Sequence, residues 1–245
     1  MDPLDFSGKA VLVVGGSSGI GNGIAQAFRS LGAAVHVWGT RADAAAYVGE
    51  PGSDLEGLGY TRVDVADEAA VAGAPAPFGT GLDVLVLCQG TVRYGRAEFA
   101  MPGFREVLDV NLTSLMACAI RFRAELAAAK GALITVSSTA GFHATRGNPA
   151  YAASKAGAVG LTRTLAQAWA GEGIRVNGVA PGLVETKLTT VTTRNPERLQ
   201  GALSRIPVGR LGTPADMAGV ALFLASPLSA YVVGQTIMVD GGMLL

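Results

Sequence analysis

Tyr151-Ala152-Ala153-Ser154-Lys155 sets a phenol and an amine four residues apart at the start of a long stretch of helical period. Four residues of helix advance about 6 Å and return to the same face, so the two side chains stand together. A free phenol titrates near pH ~10, too high for ready proton exchange at neutral pH, and a nearby ammonium favours the phenolate and lowers that value. Such a pair can protonate a carbonyl oxygen or take the proton of an alcohol. Upstream, Ser138 closes the apolar run 133–137, a position from which a hydroxyl can reach the same substrate oxygen. Each element is common alone: tyrosine and lysine fall at helical spacing by chance, and serine often ends a strand.

A second constellation lies near the N-terminus. Gly15-Gly16-Ser17-Ser18-Gly19-Ile20-Gly21 follows the apolar run Ala10-Val11-Leu12-Val13-Val14 and leads directly into a helical segment. Glycine at these places removes Cβ where the chain must turn tightly and where backbone must approach a phosphate, and the helix behind aims its unpaired N–H groups and positive dipole end at that anion. A dinucleotide would sit there. The same residues also match G-x-S-x-G, the strand-turn-helix elbow that presents a nucleophilic serine, here Ser17, with His143 downstream as a possible base. No Gly-Lys-Ser/Thr follows, which excludes a P-loop. A dinucleotide site and a Ser17 hydrolase both remain open from these residues alone.

The elements that must position them follow from periodicity. Short Val/Leu/Ile runs at 10–14, 35–38, 84–87, 133–136, 175–179 and 237–239 are apolar at successive positions, as strands covered on both faces require. Helix-length segments at 20–31, 104–129, 151–170 and 215–225 alternate with them, which implies right-handed βαβ units and a parallel sheet. Residues 49–59, 73–81 and 183–207 are the least regular, and the last follows a strand end, where open α/β sheets place ligands.

Of 245 residues, 34 are glycine, 49% are hydrophobic and 16% charged, which excludes a disordered chain; the glycine has no collagen period. One domain is the expectation. Lys+Arg and Asp+Glu are 19 each, so no global field draws nucleic acid or an anionic membrane, and an anion site must be local. The apolar runs are far shorter than the ~18 residues of a membrane span, and Met1-Asp2-Pro3-Leu4-Asp5-Phe6 carries no basic and apolar leader, so a cytoplasmic protein is expected. Cys88 and Cys118 with His36 and His143 offer neither a disulfide scaffold nor metal-ligand spacing, and no metal is expected.

In order along the chain stand Gly15-x-x-x-Gly19-x-Gly21, Asp64-Val65, Asn111, Ser138, Tyr151-x-x-x-Lys155, Asn177, Pro181-Gly182-x-x-x-Thr186 and Asp240-Gly241-Gly242. This series resembles the short-chain dehydrogenase/reductase family over essentially the whole length, and its 3-oxoacyl reductase-like branch most. The resemblance implies a single Rossmann-type doubly wound parallel α/β sheet flanked by helices on both faces, spanning residues 1–245, with 183–207 as a substrate lid. It implies an NAD(P)(H)-dependent oxidoreductase that interconverts a ketone and a secondary alcohol. Tyr151 would be the general acid/base and Ser138 the donor to the substrate oxygen. Lys155 would depress the tyrosine and hold the nicotinamide ribose, and Asn111 would anchor a relay water. An asparagine inside the helical stretch 104–129 is mildly unfavourable and suits a functional kink.

The cofactor would meet Gly15, Ser17, Ser18, Gly19, Ile20 and Gly21 at the turn. Asp64 and Val65 would lie at the adenine, Cys88 and Gly90 beside the ribose, Tyr151 and Lys155 at the nicotinamide ribose, and Pro181, Gly182, Val184 and Thr186 at the carboxamide. NADP is favoured over NAD, because Gly39 stands where an NAD enzyme carries an acid for the 2′-hydroxyl and Arg41 follows to accommodate a 2′-phosphate. Ser18 occupies the place of a basic residue often found in NADP-binding members, and Asp43 is a nearby acid. Leu87-Cys88-Gln89-Gly90 replaces the family's Asn-Asn-Ala-Gly, so the usual asparagine bonding beside the ribose is lost, and Cys88 reads as a small buried residue. Phe142, His143, Leu183 and Leu188 suggest an apolar-walled pocket. The helix ends at 127–130 and 170–173 carry Lys130 and the opposing Glu172, which ranks a free small-molecule ketone or alcohol above a carrier-bound or CoA 3-oxoacyl thioester. The resemblance implies a homotetramer. A catalytically silent nucleotide sensor is the third alternative, and it would be marked by loss of the Tyr/Lys pair that this chain keeps.

Overall fold

The computed structural model describes residues 2–79 and 81–245. Met1, in the N-terminal segment, and Thr80, in the 73–81 stretch, lie outside the described residues. Seven strands form one sheet: β1 (Ala10–Val14), β2 (Ala34–Gly39), β3 (Gly59–Arg62), β4 (Val84–Leu87), β5 (Ala132–Val136), β6 (Arg175–Pro181) and β7 (Thr236–Val239). They pair in parallel in the order β3-β2-β1-β4-β5-β6-β7. Chain order reverses on either side of β1, and the crevice at the carboxyl ends of β1 and β4 is where such a sheet binds ligands.

The strands bury both faces, and the pleat sorts their residues. Leu12, Leu85, Leu87 and Leu133 join Phe122 and Leu126 of α4 (Ser114–Ala129) and Leu165 of α5 (Pro149–Trp169) in one core. Val11, Val13, Val86 and Ile134 join Ile24 and Phe28 of α1 (Gly19–Ser30) and Leu224 of α8 (Pro214–Ala225) in the other. Successive apolar residues in β1 and β4 thus serve opposite layers.

Several features depart from the sequence expectation. Strand β3 is not among the strands expected from the sequence, because an edge strand of Gly-Tyr-Thr-Arg, half exposed, carries no apolar run. The six-residue α2 (Glu68–Gly73) is too short for a periodic signal; Asp67 caps it by accepting the N–H groups of Ala69 at 2.9 Å and Ala70 at 3.1 Å. The segment 183–207 is more ordered than expected, folding into a 3₁₀ turn (Lys187–Thr189), α6 (Thr190–Thr193) and α7 (Pro196–Leu203).

The expected helix over 104–129 begins earlier, as α3 (Met101–Leu108), and passes into α4 through one π-helical turn, Asp109–Thr113, with Asn111 inside it. There the Ser114 N–H reaches five residues back to the Asp109 carbonyl. The Val110 carbonyl, bypassed by that slip, accepts the Ser114 hydroxyl instead at 2.6 Å. Single π turns are costly and concentrate at functional sites, so the kink falls where the sequence suggested one.

Candidate active site

Three elements converge beyond the end of β5. Ser138 follows the strand and caps a 3₁₀ turn, its Oγ accepting the Ala140 N–H at 3.1 Å, which leaves the hydroxyl proton to be donated towards Tyr151. Tyr151 lies in the first turn of α5 and Lys155 one turn on, as the spacing required. Lys155 is 4% exposed; its Nζ donates to the Val136 carbonyl at 2.9 Å and stands 5.7 Å from the centre of the Tyr151 ring. Ser137 Oγ donates to the Lys155 carbonyl at 2.8 Å, and a Cβ on Gly141 would come within 2.8 Å of that same carbonyl oxygen. Glycine at 141 therefore lets the serine turn close on the tyrosine helix.

Asn111, fully buried, reaches this centre from the π turn. Its Oδ1 accepts the Thr91 N–H at 2.7 Å, and its Nδ2 donates to the Thr91 carbonyl at 2.9 Å and to Ser154 Oγ at 3.2 Å. Lys155 Nζ and Asn111 Oδ1 lie 3.6 and 3.7 Å from where a Cβ on Gly90 would stand. Ser138, Tyr151, Lys155 and Asn111 thus gather at one end of the β1/β4 crevice.

The electrostatics correct one expectation. Burial pushes the Tyr151 phenol above its ordinary value, opposed by a hydrogen bond with the Ser138 side chain. The Lys155 ammonium was expected to depress the phenol, but here it is aimed at the Val136 carbonyl, and burial lowers its own value to about 8. Burial of its sulfur also raises the Cys88 thiol to about 12, although the residue is only partly buried and not the buried residue expected.

The glycine turn fits a dinucleotide. Gly15 and Gly19 have φ of +74° and +57°, and a Cβ on Gly15 would stand 2.8 Å from the backbone of Gln89. Ser18 caps α1 without using its side chain. The N–H groups of Ile20 and Gly21 belong to the open first turn, while that of Gly19 is taken by the Gly52 carbonyl at 2.8 Å. Val184 is buried in a bridge to Gly212, and Thr186 packs against Gly19, its methyl 3.4 Å from a Cβ there. Pro181 ends β6, and Gly182 adjoins Asp240 so closely that a Cβ would stand 2.7 Å away. Asp64 is exposed at the rim, one oxygen accepting the Ala66 N–H at 3.0 Å, beside the buried Val65.

Ser17 does not stand at the mouth of the turn. It is 7% exposed, hydrogen-bonded to the Tyr47 phenol, and a Cβ on Gly39 would meet both its Oγ and the Tyr47 oxygen at 2.7 Å. Neither imidazole serves it: His36 bonds Thr61 at 2.7 Å and His143 bonds the Ala144 carbonyl at 2.8 Å. The elbow lacks both an exposed nucleophile and a base, which removes the hydrolase reading. Among the described residues no group of three or more His, Cys, Asp or Glu could hold a metal ion, and no helix is long and apolar enough to cross a membrane.

Arg41 lies over the Tyr47 ring, 4.7 Å from its centre, and pairs with Glu50 at 3.4 Å. Glu50 also pairs with Lys187 of the 183–207 segment, and Tyr94 donates to the Leu188 carbonyl at 2.7 Å. Tyr47, Glu50 and Tyr94 went unnoticed in the sequence, because they sit in irregular loops and their partners are up to 137 residues away.

Residues 14–244 match the family model described as enoyl-(acyl carrier protein) reductase. The chain is 39% identical to a 3-oxoacyl-[acyl-carrier-protein] reductase of Chlamydia pneumoniae, covering 98% of each. It is 35% identical to a 2-dehydro-3-deoxy-D-gluconate 5-dehydrogenase of Bacillus subtilis, covering 99% of this chain and 97% of that one. The solved active-site complex of Pseudomonas aeruginosa RhlG with NADP superposes over 100% of both chains with a TM-score of 0.91 at 33% identity.

Proposed function

Since the chain belongs to the short-chain dehydrogenase/reductase family, we propose that it interconverts a ketone and a secondary alcohol with NADP(H), Tyr151 being the general acid/base. The observation that carries this reading is the convergence of Tyr151, Ser138, Lys155 and Asn111 beside a glycine turn built for a dinucleotide. Bound nicotinamide supplies the hydride to the substrate carbon in reduction and receives it in oxidation. The Tyr151 phenol, kept protonated by burial, gives its proton to the carbonyl oxygen, and in the reverse direction its phenolate takes the alcohol proton. Ser138 donates its hydroxyl proton to the same oxygen, stabilising the charge that develops there. Lys155, with its value near 8, is mostly charged at neutral pH and can return a proton towards the phenol. Both amide hydrogens of Asn111 are committed, so a relay water would use the second lone pair of Oδ1.

The set that would hold the cofactor is Gly15, Ser18, Gly19, Ile20, Gly21, Asp64, Val65, Cys88, Gly90, Lys155, Pro181, Gly182, Val184 and Thr186. Ser17 acts from beneath the turn through Tyr47. Arg41 supports NADP over NAD, as does the NADP in the similar RhlG complex. A free small ketone or alcohol is favoured as substrate, because Glu172 at the helix end near Lys130 is paired with Arg123 and presents no basic surface to an acidic carrier. The similar gluconate-series dehydrogenase points to hydroxy-acid substrates. A 3-oxoacyl thioester is the second reading, favoured by the 39% identical reductase. We read the chain as one cytoplasmic dinucleotide-binding domain over 1–245 with 183–207 as its lid. The apolar Met116 and Ile120 exposed on α4 support a homotetramer.

Turnover of NADPH and NADH with a panel of sugar-acid ketones, simple ketones and 3-oxoacyl-CoA thioesters tests the reading. Faster NADPH oxidation with a free ketone than with the thioesters is expected; preference for the thioesters would transfer the assignment to the second reading.

A further inference from the structure

Among the described residues Glu98 is the one buried carboxylate, 1% exposed, and it lies in the 3₁₀ turn Ala97–Phe99 between β4 and α3. The residue before that turn, Arg96, has φ of +63°, a left-handed conformation that a non-glycine residue adopts at a cost. The two oxygens of Glu98 gather three donors from two segments, the loop at Arg93 and the start of α5. Oε2 accepts the backbone N–H of Tyr151 at 2.9 Å. Oε1 accepts the backbone N–H of Arg93 at 3.0 Å and the Asn148 side-chain amide at 3.3 Å. Asn148 occupies the N-cap of α5, yet its side chain does not cap the helix and turns to Glu98 and to the Arg93 carbonyl, 3.2 Å away.

The first turn of a helix leaves its N–H groups without partners, and an anion there is favoured by the dipole. In α5 that anion comes from a distant loop, and the N–H it takes belongs to the tyrosine itself. A buried charge persists only where donors satisfy it; Glu98 has three, on the loop at Arg93 and on the start of the helix that carries Tyr151.

We propose that Glu98 is a positioning residue for the reaction, holding the first turn of α5, and with it the Tyr151 phenol, in register with the loop that carries Arg93. This inference rests on the assignment of Tyr151 as the acid/base. Glu98 also acts through charge: beyond the effect of burial, it raises the phenol together with Tyr94 and Cys88, while Ser138 lowers it; the Lys155 ammonium stands 5.7 Å from the ring centre.

Two variants separate geometry from charge. Glu98→Gln removes the charge and turns an amide towards N–H donors; Glu98→Asp keeps the charge and shortens its reach. Thermal unfolding, cofactor affinity, kcat against KM, and ultraviolet titration of the phenol in cofactor-free protein, as the difference from Tyr151→Phe in the same background, are measured for each. For Glu98→Gln the expected result is a folded protein with cofactor affinity unchanged, kcat lowered about tenfold or more by the misplaced phenol, and the phenol midpoint moved to lower pH. For Glu98→Asp, kcat falls and the midpoint stays. Wild-type kcat and midpoint in Glu98→Gln, or a kcat that falls only with the folded fraction while the midpoint holds, overturns the proposal. If Glu98→Gln does not fold, Glu98→Asp decides: a lowered kcat in folded protein supports it, and a wild-type kcat refutes it. Full turnover in Tyr151→Phe defeats the acid/base assignment instead, and the cofactor-free titration still reads the coupling of Glu98 to the phenol.

Discussion

Lys155 carries its charge where water barely reaches, and the fold is strained by it. Burial lowers its value from the ordinary 10.5 to about 8. Below pH 8 the amine is charged in both folded and unfolded chains and the full desolvation penalty applies. Between 8 and 10.5 the unfolded chain binds more protons than the folded one, so this contribution to stability improves as pH rises through that window. The penalty amounts to about 3 kcal/mol at neutral pH, partly offset by the bond to the Val136 carbonyl, worth about 1 kcal/mol. Lys155→Met is therefore expected to stabilise the protein by about 1–2 kcal/mol at pH 7 in denaturant titrations while abolishing turnover, with the gain shrinking above pH 8. A variant less stable than wild type at pH 7 would show that the ammonium is a net support of the fold. The residues of the site were legible because the chemistry needs fixed types at helical or strand-end positions, Tyr151 and Lys155 above all. Glu98, Tyr47 and Glu50 were not, because a carboxylate or phenol in a loop acquires its meaning from partners that only the folded chain supplies.

Among the elements, the π turn shows what local sequence can and cannot convey. Asn111 in a helical stretch was readable as a kink, but its construction was not. The Val110 carbonyl freed by the slipped hydrogen bond is satisfied by Ser114 Oγ at 2.6 Å, and that oxygen accepts from Gln89 Nε2 at 2.9 Å. Gln89 belongs to the Leu87-Cys88-Gln89 departure from the family pattern, so the unusual loop is tied to the turn that carries Asn111. Ser114→Ala removes the donor to a part-buried carbonyl and leaves the buried Gln89 amide only its 4.0 Å contact with Cys118 Sγ; it is expected to cost about 1–2 kcal/mol, measurable by urea unfolding, and a neutral effect would mean that the π turn holds without it. The loop after β2 is the second case. Arg41 there is shared between Glu50 and the Tyr47 ring. Arg41→Ala is expected to weaken NADPH about tenfold, a low value for a charge-assisted contact because the side chain is partly solvated, and to leave NADH nearly unaffected. Equal losses for both cofactors would remove Arg41 from the 2′-phosphate.

At the scale of the molecule, the parallel sheet was readable because it is covered on both faces. Strands such as β1 and β4 are then apolar at every position, and the alternation with helices fixes parallel pairing. The half-exposed edge strand β3 and the short helices of 183–207 lacked that signal. The neutral net charge read from the composition has a counterpart in the site, where phosphate would meet backbone N–H groups, Ser18 and one arginine. In the proposed function these elements bring a protonated phenol to a substrate oxygen. The most direct measurement is NAD(P)H-coupled turnover of Tyr151→Phe beside its cofactor affinity. Turnover lowered by about 10²- to 10⁴-fold with cofactor binding nearly intact is expected, and turnover equal to wild type would contradict the assignment.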